Sequence, residues 1–317
     1  MLCVPSNTDK RTIMKFSIVT PVYNGAQYIA ETIEGILGQE GDFEIEYLIQ
    51  DGGSTDDTRS IVKSYEEKLK VGTYPVRCSG VTLSYRSEKD RGMYDAVNKG
   101  FANATGDIYA YLNADDRYVP GAFAVIARTF TMYPKIEWLK GITSFAHEES
   151  LEVEPGQCMV YNQHWIAKGI YGRNAYFIQQ DSVFWRKALW QRAGGMDANL
   201  RYAGDYDLWI RFAEHSPLWS LNVPVSIFRR RAGQLSGNMT PYRTEQREIS
   251  PERGVLTKRV KTFFWIRAQM PIFQPLLNLI YPLVFLHRNR YYVDIDTKGI
   301  PVITTTNRFT IPTKHYE

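Results

Sequence analysis

Four short apolar runs, each stopped by turn or charged residues and separated by helical periodicity, constrain this chain more than anything else in it. They are residues 16–20 (FSIVT), 45–49 (IEYLI), 81–85 (VTLSY) and 108–112 (IYAYL). After the first, Tyr28, Ile29, Ile33, Ile36 and Leu37 repeat on one helical face; after the second, Ile61, Val62, Tyr65 and Leu69 do the same. Residues 93–102 make a third helix that leads into the fourth run. Strands alternating with amphipathic helices predict an α/β fold: a mostly parallel central sheet with right-handed crossovers and helices on its faces.

That layout fixes where chemistry belongs, because ligands of open α/β sheets bind outside the carboxyl ends of the strands. The residues expected there are Thr20, Pro21 and Tyr23, then Asp51, then Asp90 and Arg91, then Asn113, Asp115 and Asp116. Neither GxGxxG nor GxxxxGK[ST] follows any of the runs, so the glycine-loop routes to phosphate binding are missing. A hard cation held by carboxylates is the alternative way to grip a diphosphate, with Asp115 and Asp116 as its ligands. The acidic pair also reads as a turn leading into the helix that starts near Pro120, and sequence alone leaves both readings open.

The second half is irregular and aromatic. Residues 177–185 (FIQQDSVFW) mix polar groups with large rings, the composition of a substrate wall, with Gln180 and Trp185 as its candidates. Residues 186–192 predict a short helix stopped by Gly194 and Gly195. Gly204 then precedes Asp205 at the start of a helix carrying Leu208, Trp209 and Phe212. There the helix dipole favours an ionised carboxylate, the form a proton acceptor needs; simple capping is the competing role. In 226–236 (SIFRRRAGQLS) three arginines precede a glycine turn that includes Arg231 and Gln234, as a loop folding over phosphates would.

Composition excludes some classes. A formal net charge of +4 argues against nucleic acid, and the three cysteines, Cys3, Cys78 and Cys158, have neither zinc nor disulfide-framework spacing. The first fourteen residues lack an apolar segment of signal-peptide length and read as a disordered leader. Residues 258–290 are long and apolar but broken by Pro271, Pro275 and Pro282. Basic residues flank the segment, which suits one lying in an anionic membrane interface rather than crossing it. Packing on the core or in a homo-oligomer is the alternative. From Thr297 a polar tail is expected.

The ordered set FSIVTPVYNGAQYIAETIEGIL, YLIQDGGSTDDT and SEKDRGMYDAVNKGFANATGDIYAYLNADD resembles the family 2 inverting glycosyltransferases. FIQQDSVFWRKALWQRAGGMD, AGDYDLWIRF and RRRAGQLS resemble the acceptor-side motifs of bacterial members that build surface polysaccharides. The resemblance implies a GT-A fold, with a Rossmann-like sheet, over residues 15–250. Residues 15–117 would form the nucleotide-binding half and 118–250 the acceptor side; the amphipathic, membrane-associating appendage and tail over 251–317 are read from the residues and lie outside the resemblance. It implies a nucleotide-diphosphate-sugar donor, most simply a UDP-sugar, and a glycan or lipid-linked acceptor. Thr20, Pro21, Tyr23, Asp51, Asp90 and Arg91 would border the nucleotide. Asn113 and Asp115 would stand in the DxD element with Mn2+ or Mg2+ on Asp115 and Asp116. Arg231 and Gln234 would lie at the diphosphate, Gln180 and Trp185 on the acceptor side, and Asp205 would be the catalytic base. The cysteine pattern, the lack of a signal-like segment and the 258–290 stretch give the cytoplasmic face of the cell membrane as the expected place. A nucleotide-sugar-binding protein without transfer, or a metal-dependent nucleotidyltransferase on a similar sheet, are the competing classes.

Overall fold

The computed structural model describes residues 13–148, 153–172, 176–250, 290–306 and 310–311, together with 259, 262–263, 265–266, 269–273 and 275–277. The amino-terminal half runs β1 (Met14–Val22), α1 (Ile29–Leu37), β2 (Gly41–Asp51), α2 (Thr58–Lys70), β3 (Cys78–Ser87), α3 (Met93–Phe101) and β4 (Ile108–Tyr111). Then come β5 (Arg117–Tyr118), α4 (Ala122–Met132), β6 (Trp138–His147), β7 (Val153–Glu154), β8 (Cys158–Met159) and α5 (Gln163–Ala167). The remainder is β9 (Val183–Arg186), α6 (Lys187–Ala193), α7 (Gly204–His215), β10 (Leu218–Arg230), α8 (Met239–Ile249), β11 (Arg290–Ile295), β12 (Pro301–Thr306) and β13 (Thr310–Ile311).

Eleven strands form one sheet, in the order β12-β11-β10-β6-β9-β4-β1-β2-β3, with β5 and β7 pairing off this path. The strands β4, β1, β2 and β3 are mutually parallel, as the alternating pattern requires. Period-two alternation sorts their side chains onto two faces. Phe16, Ile18, Ile108 and Ala110 join one buried cluster with Ile33, Ile36, Phe123 and Phe130 from α1 and α4. Val19, Tyr109 and Tyr111 point the other way, into a cluster with Val97 and Phe101 of α3 and Leu208, Trp209 and Phe212 of α7. Helices thus cover both faces, which is why β1 and β4 at the centre are buried throughout, while β2 and the edge strand β3 alternate.

Two expectations change. The run 177–185 ends in β9, an antiparallel strand wedged between β4 and β6. Trp185 on it is fully buried, against Phe101, Trp190, Trp209 and Phe212. It belongs to the core and forms no acceptor wall. The expected polar tail begins inside a hairpin: β11 pairs parallel with β10 and antiparallel with β12. The Asp296 carboxylate accepts the N–H groups of Lys298 and Ile300, and Gly299 takes the positive φ (71°) that the turn needs. Much of 258–290, the expected membrane segment, lies outside the described residues, as do residues 1–12 of the expected leader. Among the described residues no helix is long and apolar enough to cross a membrane. Trp265, Ile272 and Leu276 are exposed at 50, 83 and 55%.

Candidate active site

The parallel strands end level with one another. Val22 pairs with Asp51, Asp51 with Ser87, and Val19 with Tyr111, so the loops that follow share one rim. The loops after β1 and β2 are laced together. Asn24, itself at a positive φ of 50°, accepts the Thr55 N–H at 2.8 Å, and its own N–H donates to the Ser54 hydroxyl at 2.8 Å. Asp56 accepts the Ala26 N–H at 3.0 Å.

Asp51 anchors this rim and has no oxygen left over. Oδ1 accepts the Ser54 N–H and hydroxyl at 2.9 and 2.6 Å, and Oδ2 accepts the hydroxyls of Tyr85 and Ser87 at 2.6 and 2.7 Å. Burial raises its pKa, but these donors outweigh burial and hold the carboxyl below its ordinary value. With four donors on a fully buried group, the expected side-chain contact from Asp51 to a nucleotide has no lone pair to use. Thr20 is buried, and its hydroxyl accepts from Tyr47 at 3.1 Å. Pro21 is buried beside it, while Tyr23 is 65% exposed. Asp90 is open on one side. Gly92 N–H donates to its Oδ1 at 2.9 Å, and its Oδ2 lies so close to Gly52 that an added Cβ there would stand 2.8 Å away. Burial, partly offset by the Gly92 N–H and Lys99, raises its pKa. Arg91 is exposed and pairs with Asp95 at 3.0 Å. Of the residues expected on this rim, Tyr23, Asp90 and Arg91 therefore stay accessible, with Gly52 beside Asp90.

The acidic loop after β4 is closed by the arginine segment at the end of β10. Arg231 Nε donates to Asp115 Oδ2 at 2.7 Å, and Gln234 Nε2 reaches the same oxygen at 3.2 Å. Arg229 gives its backbone N–H to Asp116 Oδ1 at 2.9 Å and its Nε to the Asp115 carbonyl at 3.1 Å. The rings and acids below fix both guanidiniums. Arg229 and Arg231 lie 4.7 and 5.4 Å from the Tyr28 ring centroid, and Arg229 pairs with Glu31 at 2.5 Å. The sequence thus brings Asn113, Asp115, Arg231 and Gln234 together across more than a hundred residues.

Asp116 does not fit a metal ligand. It is 1% exposed, its second oxygen accepts from Asn113 Nδ2 at 3.5 Å, and burial, then the Asp115 and Asp181 charges, push its carboxyl well above the ordinary range. Asp115 offers one oxygen beside a fixed guanidinium. Among the described residues no three His, Cys, Asp or Glu side chains converge where a cation could sit. The expected Asp115–Asp116 pair is therefore not a chelate for Mn2+ or Mg2+: one carboxylate faces inward and the other is already paired. Among the described residues the buried Asn113 Oδ1 has no hydrogen-bond partner, and so remains an acceptor for a ligand hydroxyl.

Asp205 sits in the first turn of α7. Its Oδ1 accepts the Tyr206 N–H at 2.8 Å and the Tyr242 hydroxyl at 3.1 Å, and no protein group holds Oδ2 among the described residues. Burial outweighs these donors and raises the pKa to about 6, with Glu245 adding to the rise. The helix start was expected to favour the ionised form; desolvation wins instead. Gly204 is required by contact, since a Cβ would stand 2.5 Å from the Tyr94 ring. Glu245 fastens the approach by accepting the N–H groups of Arg201, Tyr202 and Ala203 at 2.9, 2.8 and 2.8 Å. Tyr111, at the end of β4, leads into the acidic loop, and the charges of Asp205 and of Asp181, in the turn before β9, both act on its buried hydroxyl.

Gln180 is buried, and among the described residues neither its amide oxygen nor its nitrogen has a partner. Tyr242, Glu245 and Tyr94 are not singled out by sequence; Tyr28 reads only as part of the first helix's apolar face, and Arg229 only as the first of the three arginines.

Comparison with known proteins comes to the same fold. Residues 17–150 match the family model described as Glycosyl transferase family 2. An uncharacterized glycosyltransferase of Rickettsia prowazekii is 27% identical over 211 residues, covering 64% of this chain and 60% of the relative. The chain thus spans about 60% of the length of that relative. Staphylococcus aureus TarS 1–349, solved in complex with UDP-GlcNAc, superposes with a TM-score of 0.56 at 16% identity, covering 86% of each chain. GalNAc-T7 with UDP, GalNAc and Mn2+ superposes at 0.53 and 14% identity, over 75% of this chain and 48% of that one.

Proposed function

From the family 2 glycosyltransferase domain that the chain carries over residues 17–150, we propose that it transfers a sugar from a nucleoside diphosphate donor to an acceptor hydroxyl with inversion. The observation that supports this most is Asp205: a carboxyl at a helix start, pKa about 6, with one oxygen held by Tyr206 and Tyr242 and the other free. A base titrating near the working pH is ionised when it meets the acceptor, yet still basic enough to take its proton.

In the proposed reaction Asp205 accepts the proton of the acceptor hydroxyl as that oxygen attacks the anomeric carbon. The bond from that carbon to the diphosphate oxygen breaks in the same displacement, and configuration inverts, as in single-displacement glycosidases. Tyr23, Gly52 and Asp90 border the base, Asn113 Oδ1 accepts from a ribose hydroxyl, and Arg231 and Gln234 face the diphosphate. Gln180, with its unpaired amide, presents donors and acceptors to a sugar. UDP is the nucleotide in the TarS and GalNAc-T7 complexes, and a UDP-sugar is the first donor to try here. A glycan or lipid-linked acceptor of surface polysaccharide synthesis, at the cytoplasmic membrane face, suits the exposed Trp265, Ile272 and Leu276.

The test is a panel of UDP-, GDP- and dTDP-sugars with purified protein and a hydroxyl acceptor mixture, followed by nucleoside diphosphate release. Release from one donor class supports the proposal. Nucleotide binding without release from any donor would favour a binding protein instead.

A further inference from the structure

We infer that the Arg231 guanidinium, locked against Asp115, holds the nucleoside diphosphate in place of a divalent cation, so that this protein binds its nucleotide without metal. This rests on the nucleotide-sugar reading above and concerns the same site.

Three features support it. The first is saturation: Asp115 Oδ2 takes Arg231 at 2.7 Å and Gln234 at 3.2 Å, and Asp116 is turned into the protein toward the Arg229 N–H. A cation placed on Asp115 would gain one carboxylate oxygen and face a guanidinium at contact distance. Hard divalent cations keep six or more oxygen ligands and lose water reluctantly, so this is a poor exchange. The second is rigidity. Arg231 is fixed from several directions: its N–H donates to Gln234 Oε1 at 3.1 Å, Gln234 Nε2 donates to the Arg229 carbonyl at 2.5 Å, and Tyr28 lies beneath its guanidinium. Tyr28 is itself anchored by donating to Glu148, which also accepts the Ala232 N–H at 3.3 Å. A side chain held this way loses little freedom on meeting a ligand. The third is donor supply. Nε of Arg231 goes to Asp115 and Nη1 gives one long bond, 3.4 Å, to the Ala232 carbonyl, which leaves Nη2 and the second Nη1 N–H for a ligand on a side chain still 32% exposed. The guanidinium fork beyond Nε suits a phosphate, which it can grip with two parallel hydrogen bonds.

The chemistry that follows is plain. As the anomeric bond breaks, negative charge grows on the diphosphate, and a preorganised guanidinium stabilises it without a proton transfer or a coordinated ion.

Calorimetry with UDP, GDP and dTDP on the full chain, in EDTA and in millimolar Mn2+, tests this directly. The expected result is a nucleotide whose affinity in EDTA lies within about threefold of that in Mn2+. Arg231→Gln should weaken binding in EDTA by about tenfold or more, the loss expected for charge-assisted phosphate contacts. Its melting temperature, measured alongside, separates that loss from misfolding. Arg231→His should make binding depend on Mn2+, because imidazole can ligate a cation and guanidinium cannot. Wild-type binding seen only with Mn2+, or an Arg231→Gln protein that is folded and binds normally in EDTA, overturns the proposal. If no nucleotide binds under either condition, the nucleotide-sugar reading itself falls, and this proposal falls with it.

Discussion

Asp51, where the nucleotide-side loops meet, and Asp205, at the start of α7, are both carboxylates drawn out of water, yet their acidities move in opposite directions. Asp51 has four donors on two oxygens, and its pKa is lowered in spite of burial. Asp205 has two donors on one oxygen, and burial carries its pKa up to about 6. The difference shows what separates a structural acid from a reactive one. It is the balance between desolvation and the donors that meet the charge, and sequence reports neither quantity.

The sharpest way to break the contrast is Asp205→Asn. Nucleoside diphosphate release should fall by about 10²–10⁴-fold, the usual worth of a positioned base, while nucleotide affinity by calorimetry stays the same. Near-normal release would end the assignment of Asp205 as base. The same variant should melt higher at pH 7. A carboxyl whose folded pKa lies above its unfolded value loses stability as pH rises from about 4 through 6, and the deficit persists above that. Removing it should recover roughly 1–3 kcal/mol, allowing for the partial exposure of the group.

Asp51→Asn should do the reverse. Its lowered pKa means that the ionised form supports folding above the ordinary aspartate range, with that support lost as pH falls below it. Replacing the charge at pH 7 should cost about 2 kcal/mol and several degrees of melting temperature. It should leave kcat largely intact in whatever fraction remains folded. A folded Asp51→Asn protein with normal stability and lost nucleotide affinity would restore the direct contact that the four donors argue against.

How much of this was legible in the chain follows the same line. The four runs and their helices were readable because β1 and β4 are buried on both faces, β2 and the edge strand β3 alternate, and each helix is buried on one face, so periodicity reported them. The antiparallel β9 was not, since four residues inside an aromatic stretch carry no period, and Trp185 reads alike as wall or core. The β11–β12 hairpin had a signal, an aspartate-to-glycine turn between β-rich runs at 296–299, which its position near the carboxyl end obscured. In the candidate site, side-chain type marked Asp205, Asp115 and Arg231. Orientation, set by partners far away in the chain, decided the rest: Asp116 turns toward Arg229, and Asp51 is consumed by Ser54, Tyr85 and Ser87. Tyr242 carried no mark at all, because a tyrosine on a polar helix says nothing of the carboxylate it meets.

That tyrosine gives the finest test of the comparison. Its hydroxyl is one of the two donors on Asp205 Oδ1 and favours the ionised carboxylate, so it pulls the pKa down against burial. Tyr242→Phe removes the donor and keeps the ring that packs on Phe177. The pKa of Asp205 should then climb above about 6, by less than roughly one unit for a single neutral donor. The acidic limb of the pH–kcat profile should shift to higher pH by that amount, with little change on the plateau. A plateau that collapses at every pH, with the limb in place, would make Tyr242 an acceptor contact instead. A limb that moves to lower pH would mean that its hydroxyl accepts from a protonated Asp205, and the donor count would no longer explain why Asp51 and Asp205 differ.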